Sequence, residues 1–333
     1  MPPTSTTPTT SAPLPRVTLL ATGGTIAGAS ASSTDTTDYR VGTLGVAELL
    51  RAVPEIAGVA HVSGEQIANV DSADLGQDIL LRLARATAAA LADPQVDGVV
   101  ITHGTDTLAE SAFFIDLTVR SAKPVVFVGA MRPATALSAD GPMNLLNAVT
   151  LAASPQARER GTLVVLNDRI GSAFYTSKTH STALDTFRAQ EPGFLGAFLS
   201  SQPRFYYQPA RPTGLPFFDI GTLGPLPKVS VLYGHQDMGP ELIDAALAGG
   251  ARGLVIAGSG NGTLPEPVLR RVRELARGGL PIVRASRTAD GFVSPKAEGI
   301  ASGIHGPAKA RWLLALALAS GASLAQIADY FGA

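Results

Sequence analysis

Short apolar runs that stop abruptly at glycine or a polar pair recur along this chain, and they constrain its fold more than any other feature. Arg16-Val17-Thr18-Leu19-Leu20-Ala21-Thr22 ends at Gly23-Gly24, and Val99-Val100-Ile101-Thr102 ends at His103-Gly104. Pro124-Val125-Val126-Phe127-Val128 runs into Gly129, and Leu163-Val164-Val165-Leu166 into Asn167-Asp168. Residues 229–233, 253–257 and 281–284 repeat the pattern. Runs of this length and β-branched content, bounded by turn residues, predict buried strands. Helical periodicity fills the gaps at 77–91, 107–119 and 143–153. Continuous apolar strands alternating with helices predict the α/β class, with parallel sheets covered on both faces.

A chain of 333 residues exceeds the usual roughly 100–200 residues of one domain, so two are expected. Residues 1–15 are almost all Pro, Thr, Ser and Ala and predict a disordered tail. Residues 16–205 then form the larger N-terminal domain, with a mostly parallel sheet flanked by helices. The proline-rich stretch 206–227 is a linker, and 228–333 is a smaller C-terminal α/β domain. A formal charge of −1 supplies no field for nucleic acid or an acidic membrane, and neither is expected as a partner. With no cysteine, disulfides, thiolate metal sites and cysteine nucleophiles are excluded together. The five histidines show no His-x-x-x-His pairing, so no metal site is expected. The first residues have neither a basic nor an apolar leader region, so a cytoplasmic location is expected, or a periplasmic or secreted one if a leader was trimmed.

In an open parallel sheet, ligands bind beyond the carboxyl ends of the strands. Two of those ends carry threonines: Thr22-Gly23-Gly24-Thr25-Ile26-Ala27-Gly28 and Thr102-His103-Gly104-Thr105-Asp106-Thr107. A dinucleotide site would need Gly-x-Gly-x-x-Gly opening a helix. Here the glycines are adjacent and a polar loop follows, through Ala29 to Tyr39, so a lid over the Thr25 hydroxyl is the better expectation. Thr105-Asp106 stands at the mouth of the 107–119 helix. Either residue could be an ordinary N-cap, or the helix N-terminus could receive an anionic group beside the Thr105 hydroxyl.

The segments LLATGGTIAG, NVDSADL, ITHGTDTLAES, GAMRPATALSADGPMNLLNAV and RASRTADGF, in this order, resemble the bacterial type II L-asparaginases, a family of amidohydrolases that includes the mixed glutaminase-asparaginases. The likeness runs from about Val17 to the Lys309-Ala310-Arg311 region. It implies Thr25 as nucleophile with Tyr39 as lid tyrosine, and a second set of Thr105, Asp106 and Lys178. It implies Ser72 on the substrate α-carboxylate, Asp106 on its ammonium, and the Ala130 carbonyl on the side-chain amide. The implied reaction converts L-asparagine to aspartate and ammonia through a β-aspartyl ester on Thr25, with no metal or organic cofactor. It also implies a homotetramer whose sites are completed across an intimate dimer, here by Thr263 and Glu298.

Residue chemistry agrees in outline. A threonine hydroxyl is a poor nucleophile at neutral pH and needs a base and a fixed geometry. Both hydroxyl sets could serve, and the base for Thr25 stays open. If Lys178 meets Thr105 and Asp106, Asp106 is expected to be a buried charge that it neutralises. The chain departs from the family at Ala73, where Gln or Glu is usual, and at Thr263, where Asn or Ser is usual. A glutaminase-asparaginase that also takes L-glutamine is the nearest alternative. A non-catalytic amino-acid-binding protein should have lost a hydroxyl or the lysine. A subunit of a tRNA-dependent amidotransferase should carry an extra folded domain or a basic surface.

Overall fold

The computed structural model describes residues 13–35, 42–288 and 290–332. Among the described residues, the N-terminal part holds ten strands, beginning with β1 (Arg16–Gly23), β2 (His61–Val70), β3 (Gly98–Thr102), β4 (Val125–Val128) and β5 (Thr162–Leu166). They continue with β6 (Arg169–Ser172), the short pair β7 (Ser177–Lys178) and β8 (Phe187–Arg188), then β9 (Gly196–Leu199) and β10 (Gln202–Phe205). Between the strands lie α1 (Val46–Arg51), α2 (Gln77–Ala92), α3 (Leu108–Thr118) and α4 (Gly141–Ala152). The C-terminal part alternates β11 (Val229–Tyr233), α5 (Glu241–Ala248), β12 (Gly253–Gly258), α6 (Glu266–Arg277), β13 (Ile282–Ser286) and β14 (Ile300–Ala301), and ends in α7 (Pro307–Ala319) and α8 (Leu324–Tyr330). Within 206–227 there is neither helix nor strand. That stretch is nonetheless strapped down, because Arg160 donates to the Tyr207 and Gln208 carbonyls and Arg211 pairs with the buried Asp116.

The large sheet runs β10-β9-β6-β5-β4-β3-β1-β2. β2, β1, β3, β4 and β5 pair in parallel, and β5-β6, β6-β9 and β9-β10 antiparallel. Asn167-Asp168 therefore does not end a strand at a crossover helix. Both residues have positive φ, 49° and 58°, and form a two-residue hairpin turn of the kind whose twist suits paired strands. The decisive feature lies elsewhere in the order. The chain leaves β1 to one side for β2 and returns to its other side as β3, which opens a crevice above the carboxyl ends of β1 and β3. Both threonine motifs sit there.

The smaller sheet, β11-β12-β13-β14, is wholly parallel. One apolar core joins it to the larger part: α3 residues Phe113, Phe114 and Leu117 share a cluster with Trp312, Leu313 and Leu316 of α7, and with Val255 and Val283. Every α3 residue except Ala109 and Glu110 is buried, as expected of a helix packed on both sides. The Phe114 and Trp312 rings meet edge to face at 5.2 Å.

Candidate active site

The two motif loops are pressed into contact, and glycine is what permits it. Gly24 has φ +83°, and a Cβ there would lie 2.3 Å from the Cα and N of Gly104. A Cβ on Gly104 would lie 2.7 Å from the Ser72 side chain. Thr22 Oγ1 donates to the Thr102 carbonyl at 2.9 Å and ties the ends of β1 and β3 together. Thr25 opens a single 3-10 turn, Thr25–Ala27, and is buried. Gly24→Ala is therefore expected to lower stability by about 3 kcal/mol or more, since backbone must move against backbone. Denaturant unfolding measures this, and an unchanged midpoint would refute the close approach.

The helix mouth differs from both N-cap readings. The cap position of α3 is Thr107, and its hydroxyl makes no cap bond but donates to the Ser72 carbonyl at 2.8 Å. Ser72 is thereby fixed beside Gly104 and is itself buried. Thr105 and Asp106 turn to Lys178, whose Nζ donates to Thr105 Oγ1 at 3.0 Å and to Asp106 Oδ1 at 2.6 Å. Lys178 is held in β7, where it pairs with Phe187 of β8. Its side chain is 16% exposed, whereas that of Asp106 is 66% exposed. Asp106 is thus not the buried charge anticipated: it lies at the rim of the crevice with its carboxylate open to solvent.

Ala130 is fully buried after β4. Its loop is shaped by groups the sequence reading did not single out. Asp140 accepts from the Met131 and Arg132 backbone N–H groups at 3.0 Å each, and Asn144 donates to the Gly129 carbonyl and to Asp140. The available signal was an Asp just before Gly141-Pro142 at a helix start, with Asn144 one turn on. His103 is buried against Phe127, with Nδ1 2.7 Å from the Gly104 carbonyl, and burial pushes its pKa down to about 4. It is a neutral packing group of the loop.

Tyr39 lies outside the described residues. The loop before it is anchored: Ser30 N–H donates to Thr135 Oγ1 and Leu137 N–H to the Ser33 carbonyl. Thr263 is exposed on the loop after β12, bridged to Ser259. Glu298 stands before β14, with its carboxylate 3.0 Å from Arg273 of α6. Neither has a described contact with Thr25, Ser72, Thr105, Asp106 or Lys178. Among the described residues no group of three or more His, Cys, Asp or Glu side chains could hold a metal ion.

The two threonine-bearing loops and Lys178 meet beyond the carboxyl ends of β1 and β3, where open parallel sheets place their ligands. Comparisons with known proteins give the family. An N-terminal asparaginase domain matches residues 16–211, and a glutaminase/asparaginase C-terminal domain matches 228–331. The chain belongs to the asparaginase family. A protein named probable L-asparaginase 1 from Schizosaccharomyces pombe is 49% identical, covering 96% of this chain and 89% of its own. L-asparaginase 2 of Bacillus subtilis is 48% identical, covering 96% and 86%. A solved structure of a probable cytoplasmic L-asparaginase from Campylobacter jejuni superposes with a TM-score of 0.91 at 42% identity, over 95% of this chain and 99% of that one.

Proposed function

We propose that this protein is an L-asparaginase. The observation that carries the reading is Lys178 Nζ bonded at once to Thr105 Oγ1 and Asp106 Oδ1, on a loop pressed against the one that bears Thr25. In this reading Thr25 Oγ1 loses its proton and attacks the side-chain carboxamide of asparagine. The nitrogen gains a proton and leaves as ammonia, and water then attacks the β-aspartyl ester to give aspartate and free Thr25. Ser72 receives the α-carboxylate, Asp106 the α-ammonium, and the Ala130 carbonyl the amide N–H. Tyr39 closes over Thr25. The exposure of Asp106 supports its role, because a carboxylate open to the crevice can meet an incoming ammonium. Ammonia release from asparagine and glutamine, measured side by side, tests the proposal; no release from either overturns it.

Ala73 favours a weakened grip on the amino end and a minor glutaminase activity. It is exposed beside buried Ser72, and its N–H donates to Asp71. One methylene is worth only about 1–3 kcal/mol of discrimination, so slack in positioning admits the longer substrate. Ala73→Gln is expected to lower KM for asparagine more than it changes kcat, as uniform binding requires. Unchanged KM values for both substrates would remove position 73 from the account.

The assembly we propose is a homotetramer in which Thr263 and Glu298 complete a neighbour's site. The exposure of Thr263, and the exposed Val231 and Tyr233 on edge strand β11, support it. Activity should then require an oligomer, and sedimentation that finds a fully active monomer at assay concentration refutes this. We place the protein in the cytoplasm. The Campylobacter relative, named a probable cytoplasmic L-asparaginase, supports that, while a 42% identical Haemophilus influenzae relative is named periplasmic. Among the described residues no helix is long and apolar enough to cross a membrane.

A further inference from the structure

Lys309 is a lysine with no surface role. It occupies the first turn of α7 in the C-terminal part and is buried. Its Nζ donates to three carbonyls of one N-terminal turn: Ala173 at 2.9 Å, Phe174 at 2.8 Å and Thr176 at 2.7 Å. An ammonium has three N–H donors, and here each has its own acceptor. The turn they gather, 173–176, leads directly from β6 into β7, and the next two residues are Ser177 and Lys178. Aromatic packing closes the turn from the other side. Phe174 lies 5.6 Å from the Phe113 ring and 4.9 Å from His305, two residues before α7. Lys309 and Lys178 also line one cleft of about 320 Å³ between the two parts, together with Asp106, Glu110, Tyr233 and Arg287.

We propose that Lys309 is a positioning residue for Lys178, the clamp through which the C-terminal part sets the reach of the catalytic lysine. The proposal rests on the reading of Lys178 given above. β7 is only two residues long and pairs with an equally short β8; Thr179 and His180 pin the segment after Lys178 to Thr186, and the side before Lys178 needs a fixed point of its own. The three carbonyls bound by Lys309 supply that fixed point. Burial lowers the Lys309 pKa to about 7, while Asp116 and Glu110 favour its charged form. Holding an ammonium there at such cost is understandable if all three donors are needed.

The test uses the full chain in its native assembly, with asparagine hydrolysis, KM and thermal midpoint measured for Lys309→Gln, Lys309→Arg and each combined with Lys178→Met. Misplacing a catalytic group by about 1 Å costs on the order of 100-fold in rate. Lys309→Gln should therefore lower kcat roughly 10- to 100-fold with KM within about twofold, and Lys309→Arg should lower it less. In the Lys178→Met background neither should cause further loss. If Lys309→Gln fails to fold, Lys309→Arg carries the same comparison. Unchanged kcat in a folded variant overturns the proposal, as do losses that multiply in the double variants. A fully active Lys178→Met would instead overturn the catalytic reading of Lys178.

Discussion

Thr25→Ala is expected to lose about four to six powers of ten in kcat for asparagine while keeping its fold and its affinity for aspartate. Removing a covalent nucleophile leaves only binding and polarisation, and losses of that order follow in comparable hydrolases. The fold should survive because Gly24 and the Thr22–Thr102 bond hold the turn, and the substitution leaves both in place. Steady-state kinetics and aspartate titration of the purified variant separate the two effects. Retention of more than about a tenth of wild-type kcat would show that another group attacks the amide.

Lys178→Met should cost roughly two to four powers of ten in kcat, the usual worth of a positioned proton-transfer group. The structure sharpens what happens to stability. Asp106, being 66% exposed, keeps its hydration when the ammonium is gone, and pairs with a solvent-exposed partner contribute only about 0–1 kcal/mol. The thermal midpoint should therefore move by a few degrees at most, with the rate loss almost entirely catalytic. An active variant would return Lys178 to an ordinary β-hairpin residue. A variant that unfolds would mean that the Thr105 contact holds the crevice together.

The central strands were legible because each is buried on both faces and reads as an unbroken apolar run. β2 was not. It is an edge strand with a mostly exposed pattern, and its sequence, HVSGEQIANV, carries neither a continuous run nor clean alternation. The antiparallel extension β6-β9-β10 was hidden for a different reason: its turns, Asn167-Asp168 and Ser200-Ser201, depend on positive φ at residues other than glycine. At the site, Lys178 bonds to Thr105 and Asp106, although Lys178 alone carries no local signal in the sequence. Asp140 and Asn144 act on backbone groups, and backbone geometry leaves little trace in composition. Lys309 escaped because a charged residue in an apolar helix ordinarily reads as solvent-facing. Only the fold reveals three carbonyls converging on it.

The apolar cluster shared by α3 and α7 makes the two sequence modules one cooperative unit. Excising the C-terminal part would expose Phe113 and Phe114 to water, and excising the N-terminal part would expose Trp312, patches that invite association rather than independent folding. The helix that begins beside Thr105-Asp106 is the same one that docks the C-terminal part. Loosening that dock withdraws the backing from the motif and from the turn that carries Lys178. Partial unfolding that spares the crevice is thereby denied to the chain, and loss of activity on heating should track loss of structure. Evolution of the surface loops can proceed freely around such a spine, whereas recombination of the two modules between distant relatives must carry α3 and α7 together.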